Sequence, residues 1–209
     1  TVKTSGGGLS GCTYTVKDTD THLWPVITDD CDYSVTWRVV PYLTSVAEIF
    51  RYDTKADDKK FVGATLELGK NTITVSTLQN KGRVISSRTY EINVVDDTNP
   101  IVVATIQNNA TLNNNNKPMG SGSVEFDAIK LNKGSNDNCT PPELLTYQVT
   151  RDYSVANPVY TDCVTFTSAD VGQTVAIAFR VTDASGNSTV QTGTPVTVID
   201  ASIPEFTNT

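Results

Sequence analysis

Hydrophobic and polar residues alternate along much of this chain. Val175, Ile177, Phe179 and Val181 are interleaved with Thr174, Ala176, Ala178 and Arg180, a period of two that gives a half-buried strand one apolar face. The same alternation runs through Val35, Trp37 and Val39 against Ser34, Thr36 and Arg38, and through Tyr90, Ile92 and Val94 against Thr89, Glu91 and Asn93. Further short strands are expected around Cys12 to Lys17, Phe61 to Leu68, Asn71 to Leu78, Ile101 to Gln107, Ser123 to Ala128, Leu144 to Arg151, Cys163 to Thr167 and Thr189 to Val198, with turn-forming residues between nearly all of them. No segment keeps a clear helical period for more than about two turns. Ser45 to Tyr52 has an apolar spacing that fits either a helix or a strand, and the strand is preferred. Asn108 to Gly122, which contains four consecutive Asn residues at 113 to 116, reads as a mobile surface loop. The pattern predicts an all-β chain built of antiparallel sandwiches.

The two halves repeat one another. Asn93-Val94-Val95-Asp96 followed by Pro100-Ile101 matches Thr197-Val198-Ile199-Asp200 followed by Pro204-Glu205, at an offset of 104 residues. Each half also carries an acidic turn fused to a cysteine, Asp29-Asp30-Cys31 and Asn136-Asp137-Asn138-Cys139. A small-residue turn precedes the penultimate strand in each, Leu68-Gly69-Lys70-Asn71 and Val171-Gly172-Gln173-Thr174. Such repetition marks tandem modules. The expected division is 1–97 and 98–201, with 202–209 as the start of a following module or a tail.

Composition narrows the chemistry. The 209 residues include 32 Thr and 25 Val, which suits strands and disfavours helical bundles. A net charge of -7 repels a phosphate backbone and excludes nucleic acid as a partner. Most of the excess acid lies in the second half, with 5 basic and 10 acidic residues after Asp97 against 11 and 13 before it. No stretch is apolar and long enough to span a membrane. The chain begins at Thr1 without a basic and apolar leader, so no signal peptide is expected in it, and the sequence reads as a piece of a longer polypeptide.

The reactive side chains are few. With one His (His22) and four Cys, neither a Ser/His nor a Cys/His arrangement is available beyond His22, and no enzymatic activity is expected. The cysteines, Cys12 with Cys31 and Cys139 with Cys163, lack the spacing of a zinc site and read as disulfides. Four cysteines allow three connectivities, of which closure of a short loop within each half is geometrically the easiest. Disulfides place the protein outside the cytosol.

Asn136-Asp137-Asn138-Cys139, Asp162-Cys163, Asp170-Val171-Gly172 and Val181-Thr182-Asp183-Ala184-Ser185-Gly186-Asn187-Ser188 together resemble the hyalin-repeat (HYR) and related immunoglobulin-like modules. Such modules recur in very long cell-surface proteins of Bacteroidota, including gliding-motility adhesins. The first half fits a sister pattern through Cys12-Thr13-Tyr14-Thr15-Val16, Asp30-Cys31 and Gly63-Ala64-Thr65-Leu66-Glu67-Leu68-Gly69. The resemblance implies two tandem immunoglobulin-like antiparallel β-sandwiches and a role in adhesion or gliding at the cell surface. Departures are visible: Ser86-Ser87 and Thr189-Val190 stand where such modules often carry a further cysteine. Asp53 to Lys60 has no partner in the second half.

In a sandwich of this kind, the loop between the second and third strands and the loop before the last strand share one end with the incoming linker. For the second module that end collects Asp96, Asp97 and Asn99 from the linker, Asn136 and Asp137 from one loop, and Asp183 and Asn187 from the other. Calcium takes six to eight oxygen ligands in irregular geometry, so these donors suit it. The competing reading makes the same residues ordinary turn formers that bond their own backbone. In the first module Asp29, Asp30 and Asp32 face Lys81, so a weak site or none is expected. The partners expected are neighbouring modules of the same chain. A polysaccharide-binding role, with Trp24, Tyr42, Phe50 and Tyr52 as an exposed aromatic platform, and an accessory role beside a secreted enzyme are the alternatives.

Overall fold

Alternating β-branched and aromatic positions build thirteen strands among the described residues, which in this computed structural model are 1–3, 12–28, 33–53, 59–79, 82–112 and 122–201. The chain divides into two compact units, Thr1–Asp97 and Thr98–Thr209.

The first unit contains β1 (Val2–Lys3), β2 (Thr13–Thr15), β3 (Ser34–Val40), β4 (Glu48–Tyr52), β5 (Thr65–Glu67), β6 (Gly69–Gln79) and β7 (Arg83–Val95). One sheet has the order β1-β7-β6-β3-β4, and β2 pairs with β5 in a second. All pairings are antiparallel except that of β1 with β7. The odd positions of β3 turn inward, so Val35, Trp37 and Val39 are wholly buried with Ile73 of β6 and Leu66 of β5. Phe61 lies 5.4 Å from the Trp37 ring and meets Trp24 edge-on at 5.7 Å. Each such side chain contributes roughly 1.5 to 3 kcal/mol through burial.

A polar device closes one end of this core. Asn71 is completely buried, yet its amide donates to the carbonyls of Glu67 and Gly69 and its Oδ1 accepts from the backbone N–H of Tyr42 and Glu67. The Glu67 carboxylate in turn accepts from the backbone N–H of Leu43 and Thr44. Gly69 has φ of +107, and a Cβ there would lie 2.4 Å from Cδ1 of Tyr42, so both conformation and space require glycine.

The second unit contains β8 (Asn109–Leu112), β9 (Ser123–Asp127), β10 (Thr146–Thr150), β11 (Cys163–Thr167), β12 (Thr174–Thr182) and β13 (Ser188–Asp200). Its sheets are β10-β12-β13-β8 and β9-β11, with β8 parallel to β13. Phe126 and Phe166 meet edge-on at 6.2 Å, and Tyr147 stacks on Phe179 at 6.1 Å. Ile177, Val181, Val196 and Val198 complete the core. The scheme repeats that of the first unit, in which β4 is an addition. Both units are immunoglobulin-like β-sandwiches.

Three expected elements differ. Ile101 to Gln107 forms no strand and makes only single bridges at Ile101 and Ala104. Its backbone bonds go to the irregular segment from Leu131 to Asn136 at separate points, and although Val102 and Ala104 pack partly buried on the core between exposed Ile101 and Val103, no continuous ladder forms. Asn109–Leu112, assigned from sequence to a mobile loop, is a strand with Ala110 and Leu112 buried. The Asn run at 113 to 116 that obscured it lies outside the described residues. Within Phe61 to Leu68 only Thr65–Glu67 is extended, because Phe61 to Ala64 form a turn closed by the Ala64 N–H on the Phe61 carbonyl.

Replacing Asn71 with Ala strands several buried backbone groups at once. The expected cost in urea unfolding is about 2 to 4 kcal/mol, against less than about 0.5 kcal/mol for the exposed Lys70→Ala.

Candidate metal centre

Two loops of the second unit bring acid together. The first follows Asn136, whose backbone exchanges both hydrogen bonds with Ile101. Alternation then turns the Asp137 side chain inward, to 8% exposure, while Asn136 stays exposed and gives its amide to the Gly134 carbonyl. Oδ2 of Asp137 accepts from the backbone N–H of Cys139 at 2.9 Å and Thr140 at 2.8 Å, the bonding of an Asx turn.

The second loop joins β12 to β13. Asp183 and Asn187 close it through the backbone, and Gly186 supplies the positive φ of +92 that such a tight hairpin needs. The Asp183 carboxylate, 5% exposed, accepts from the Asn187 backbone N–H and from its side-chain amide, both at 2.7 Å. Thr140 ties the loops to each other, its Oγ1 accepting from the Ala184 N–H at 3.0 Å. The outcome is a carboxylate oxygen of Asp137 within 4.8 Å of one from Asp183.

Two buried anions at that separation repel in a medium of low dielectric, so the arrangement suits a cation. Oδ1 of Asp137 is buried and, among the described residues, receives no hydrogen bond. An orphaned anionic oxygen is costly to bury unless a ligand or ordered water completes it. Both carboxylates are held by backbone and amide donors that leave lone pairs free, and the donor set is all oxygen, which fits calcium.

Of the other residues expected at this end, Asp96 continues the buried alternation of Ile92 and Val94 beyond β7 and is 5% exposed. Asp97 and Asn99 are exposed, and the Asp97 carboxylate forms an ion pair with Lys3. The expected acidic site of the first unit falls at 29–32, outside the described residues, as does Lys81. Thr140, which couples the two loops, escaped the sequence reading.

The expected cysteine pairing requires correction. Cys12 and Cys139 are disulfide-bonded, but Cys163 is a free, half-buried thiol, and Cys31 lies outside the described residues. The bond from Cys139 to Cys163 is not made. Val164 and Phe166 face the core of β11, which turns Cys163 with Thr165 and Thr167 to the other face. The aromatic platform is also absent: Trp24, Phe50 and Tyr52 pack against the first core, leaving Tyr42 exposed. His22 is exposed in a short 3-10 turn.

Asp170 has a structural role. It caps the turn after β11 through Thr167 and accepts from both terminal nitrogens of Arg151, the shorter bond being 2.7 Å. That guanidinium holds the Asp170 carboxyl below its ordinary range, aided by the Thr167 backbone N–H.

No protein-family model and no curated protein sequence matches the chain. Among solved structures it is similar to human mucin-like protocadherin EC1-2, at 15% identity and a TM-score of 0.31 over 79% of this chain and 85% of that one. It is also similar to zebrafish RET cadherin-like domains 1 to 4, at 11% identity and a TM-score of 0.23 over 80% of this chain and 42% of that one.

Two outcomes test this geometry. Alkylation without reduction, followed by peptide mapping, should label Cys163 and leave Cys139 unlabelled. Because the folded-state pKa of Asp170 is depressed, its stabilisation is full above the unfolded value of about 3.9 and is lost as pH falls through the lower folded value. Asp170→Asn should therefore lower the urea midpoint at pH 7 and flatten the acid limb below about pH 4.

Proposed function

We propose that this chain is a non-catalytic repeat segment of a long extracellular surface protein, serving as a spacer and adhesive element whose acidic loops take calcium. The observation that carries this reading is the buried Asp137 oxygen, without a hydrogen-bond partner among the described residues, beside the Asp183 carboxylate. Disulfide-bonded Cys12 and Cys139 favour an oxidising, extracellular setting. The repeated sandwich scheme suits a segment that extends a chain module by module. The resemblance to HYR modules supplies the finer expectation of a bacterial surface adhesin, including one used in gliding.

Asp137 and Asp183 are the proposed central ligands, with the Asn187 side chain holding Asp183 in place. Asp96 is the proposed linker ligand. Chain connectivity favours it, since only four residues separate it from Ile101, whose backbone is fixed to Asn136. Asp97 and Asn99 are proposed to contribute through their flanking backbone or water. When bound, calcium would neutralise the buried carboxylates and set the loops rigidly.

Thermal melts in EDTA and in calcium test the proposal. At a calcium concentration about a hundredfold above Kd, ligand linkage stabilises by about 2.7 kcal/mol, enough to raise Tm by several degrees. Asp137→Asn keeps an acceptor for the Asx turn but removes the charge, so it should fold and lose most of the calcium response. Equal midpoints with and without calcium in the parent protein would reduce the two loops to ordinary turns.

A further inference from the structure

Register alone maps the outer face of the first sheet. Across β4, β3, β6 and β7, one row runs Arg51, Thr36, Ser76, Ser87 and the next Ile49, Arg38, Thr74, Thr89. These positions alternate with the buried Val35, Trp37, Val39, Ile73 and Val75, so all eight side chains leave the core on the solvent side. The hydroxyls pair across strands, Thr74 with Thr89 at 3.0 Å and Ser76 with Ser87 at 3.2 Å, and each retains hydrogen-bonding capacity outward. Together they form a nearly continuous field of donors and acceptors.

Arg38 and Arg51 stand in this field, both exposed. Among the described residues, neither guanidinium has a carboxylate, hydroxyl or aromatic partner. An arginine on the main sheet of the second unit is held differently. Arg180, on β12, donates to Gln148 and lies over the Tyr160 ring at 4.2 Å. Two uncommitted guanidinium groups in a protein of net charge -7 are thus a local departure from the overall charge. Arg51 borders a groove of about 460 Å³ lined also by Ser34, Thr36, Asp53, Ser76 and Val84, and Arg38 stands one row further along the same face. Val84 is 54% exposed and offers an apolar patch, and Asp53 stands at β4's end with an acceptor for a sugar hydroxyl.

We propose that this face binds an anionic polysaccharide carrying uronate carboxylates. A guanidinium fork matches a carboxylate through two parallel N–H donors, and serine and threonine hydroxyls exchange hydrogen bonds with sugar hydroxyls in either sense. An extended glycan is long enough to lie along the groove and reach both arginines. The site is distinct from the carboxylate loops of the second unit and does not depend on calcium there.

Isothermal titration of the full chain with polygalacturonate, sulfated dextran and neutral dextran, in EDTA, tests the assignment. Binding to polygalacturonate that weakens with salt, with none to neutral dextran, is the expected result. Arg38→Ala and Arg51→Ala should each weaken it about tenfold, the scale of one charge-assisted hydrogen bond, without moving Tm. Asp53→Asn should strengthen it by removing a repulsive charge. Equal binding to neutral dextran, binding to sulfated dextran alone, full affinity in the double arginine variant, or no binding to any polymer would each overturn the proposal.

Discussion

The constraint on which each unit depends is the pairing of its two longest strands. β6 with β7, and β12 with β13, supply the antiparallel register to which the other strands of the main sheet are added. Because the side-chain period is two, a slip of one residue would expose Ile73, Val75, Ile92 and Val94 and bury Thr72, Thr74, Glu91 and Asn93. Burial therefore locks the register, and the register decides where every polar group falls. The Asp183 carboxylate sits at the turn between β12 and β13 because that pair ends there. The hydroxyl rows of the first unit exist because the same logic leaves Thr and Ser on the outside.

Buried polar groups then fix what apolar packing leaves open. Asn71 spends its amide on three segments of the first unit, and Asp170 spends its carboxylate on Arg151 and Thr167 in the second. Both are satisfied, so they contribute specificity without an uncompensated desolvation cost. Asp137 differs, since one of its oxygens is anchored and the other is not. The contrast within one fold separates carboxylates that hold structure from one poised for a ligand.

Much of the fold was legible wherever burial alternates. Val35 to Val39 and Val175 to Val181 carry their strands openly, and the offset between Asp96 and Asp200 reveals the repeat. What stayed hidden has physical causes. β8 is short and runs into an Asn tract, so its two buried residues gave too little pattern. Ile101 to Gln107 turns Val102 and Ala104 toward the core but bonds its neighbour only at single bridges, so its pattern suggested a strand that its backbone does not complete. At the candidate site, Asp137 was identifiable because an acidic turn fused to a cysteine recurs in both halves, and Asp183 because its loop shares the linker end of the sandwich. Asn136 was not separable from Asp137, as only the backbone bridge to Ile101 sets which of the two side chains turns inward. Cys163 was misassigned because sequence separation says nothing about which face of β11 a thiol occupies.

The parallel junction of β8 with β13 has a further consequence. Residues Asn109 to Leu112 lie alongside Thr197 to Asp200, so the first and last strands of this unit run in the same direction, side by side. Tension drawing the entry of β8 and the exit of β13 apart would act along the strands, sliding one past the other. All the hydrogen bonds of the junction would then have to fail together, whereas in a peeled hairpin they fail one at a time. A module joined this way resists extension through simultaneous rupture, and its lifetime under tension is set by the height of an unfolding barrier more than by its equilibrium stability.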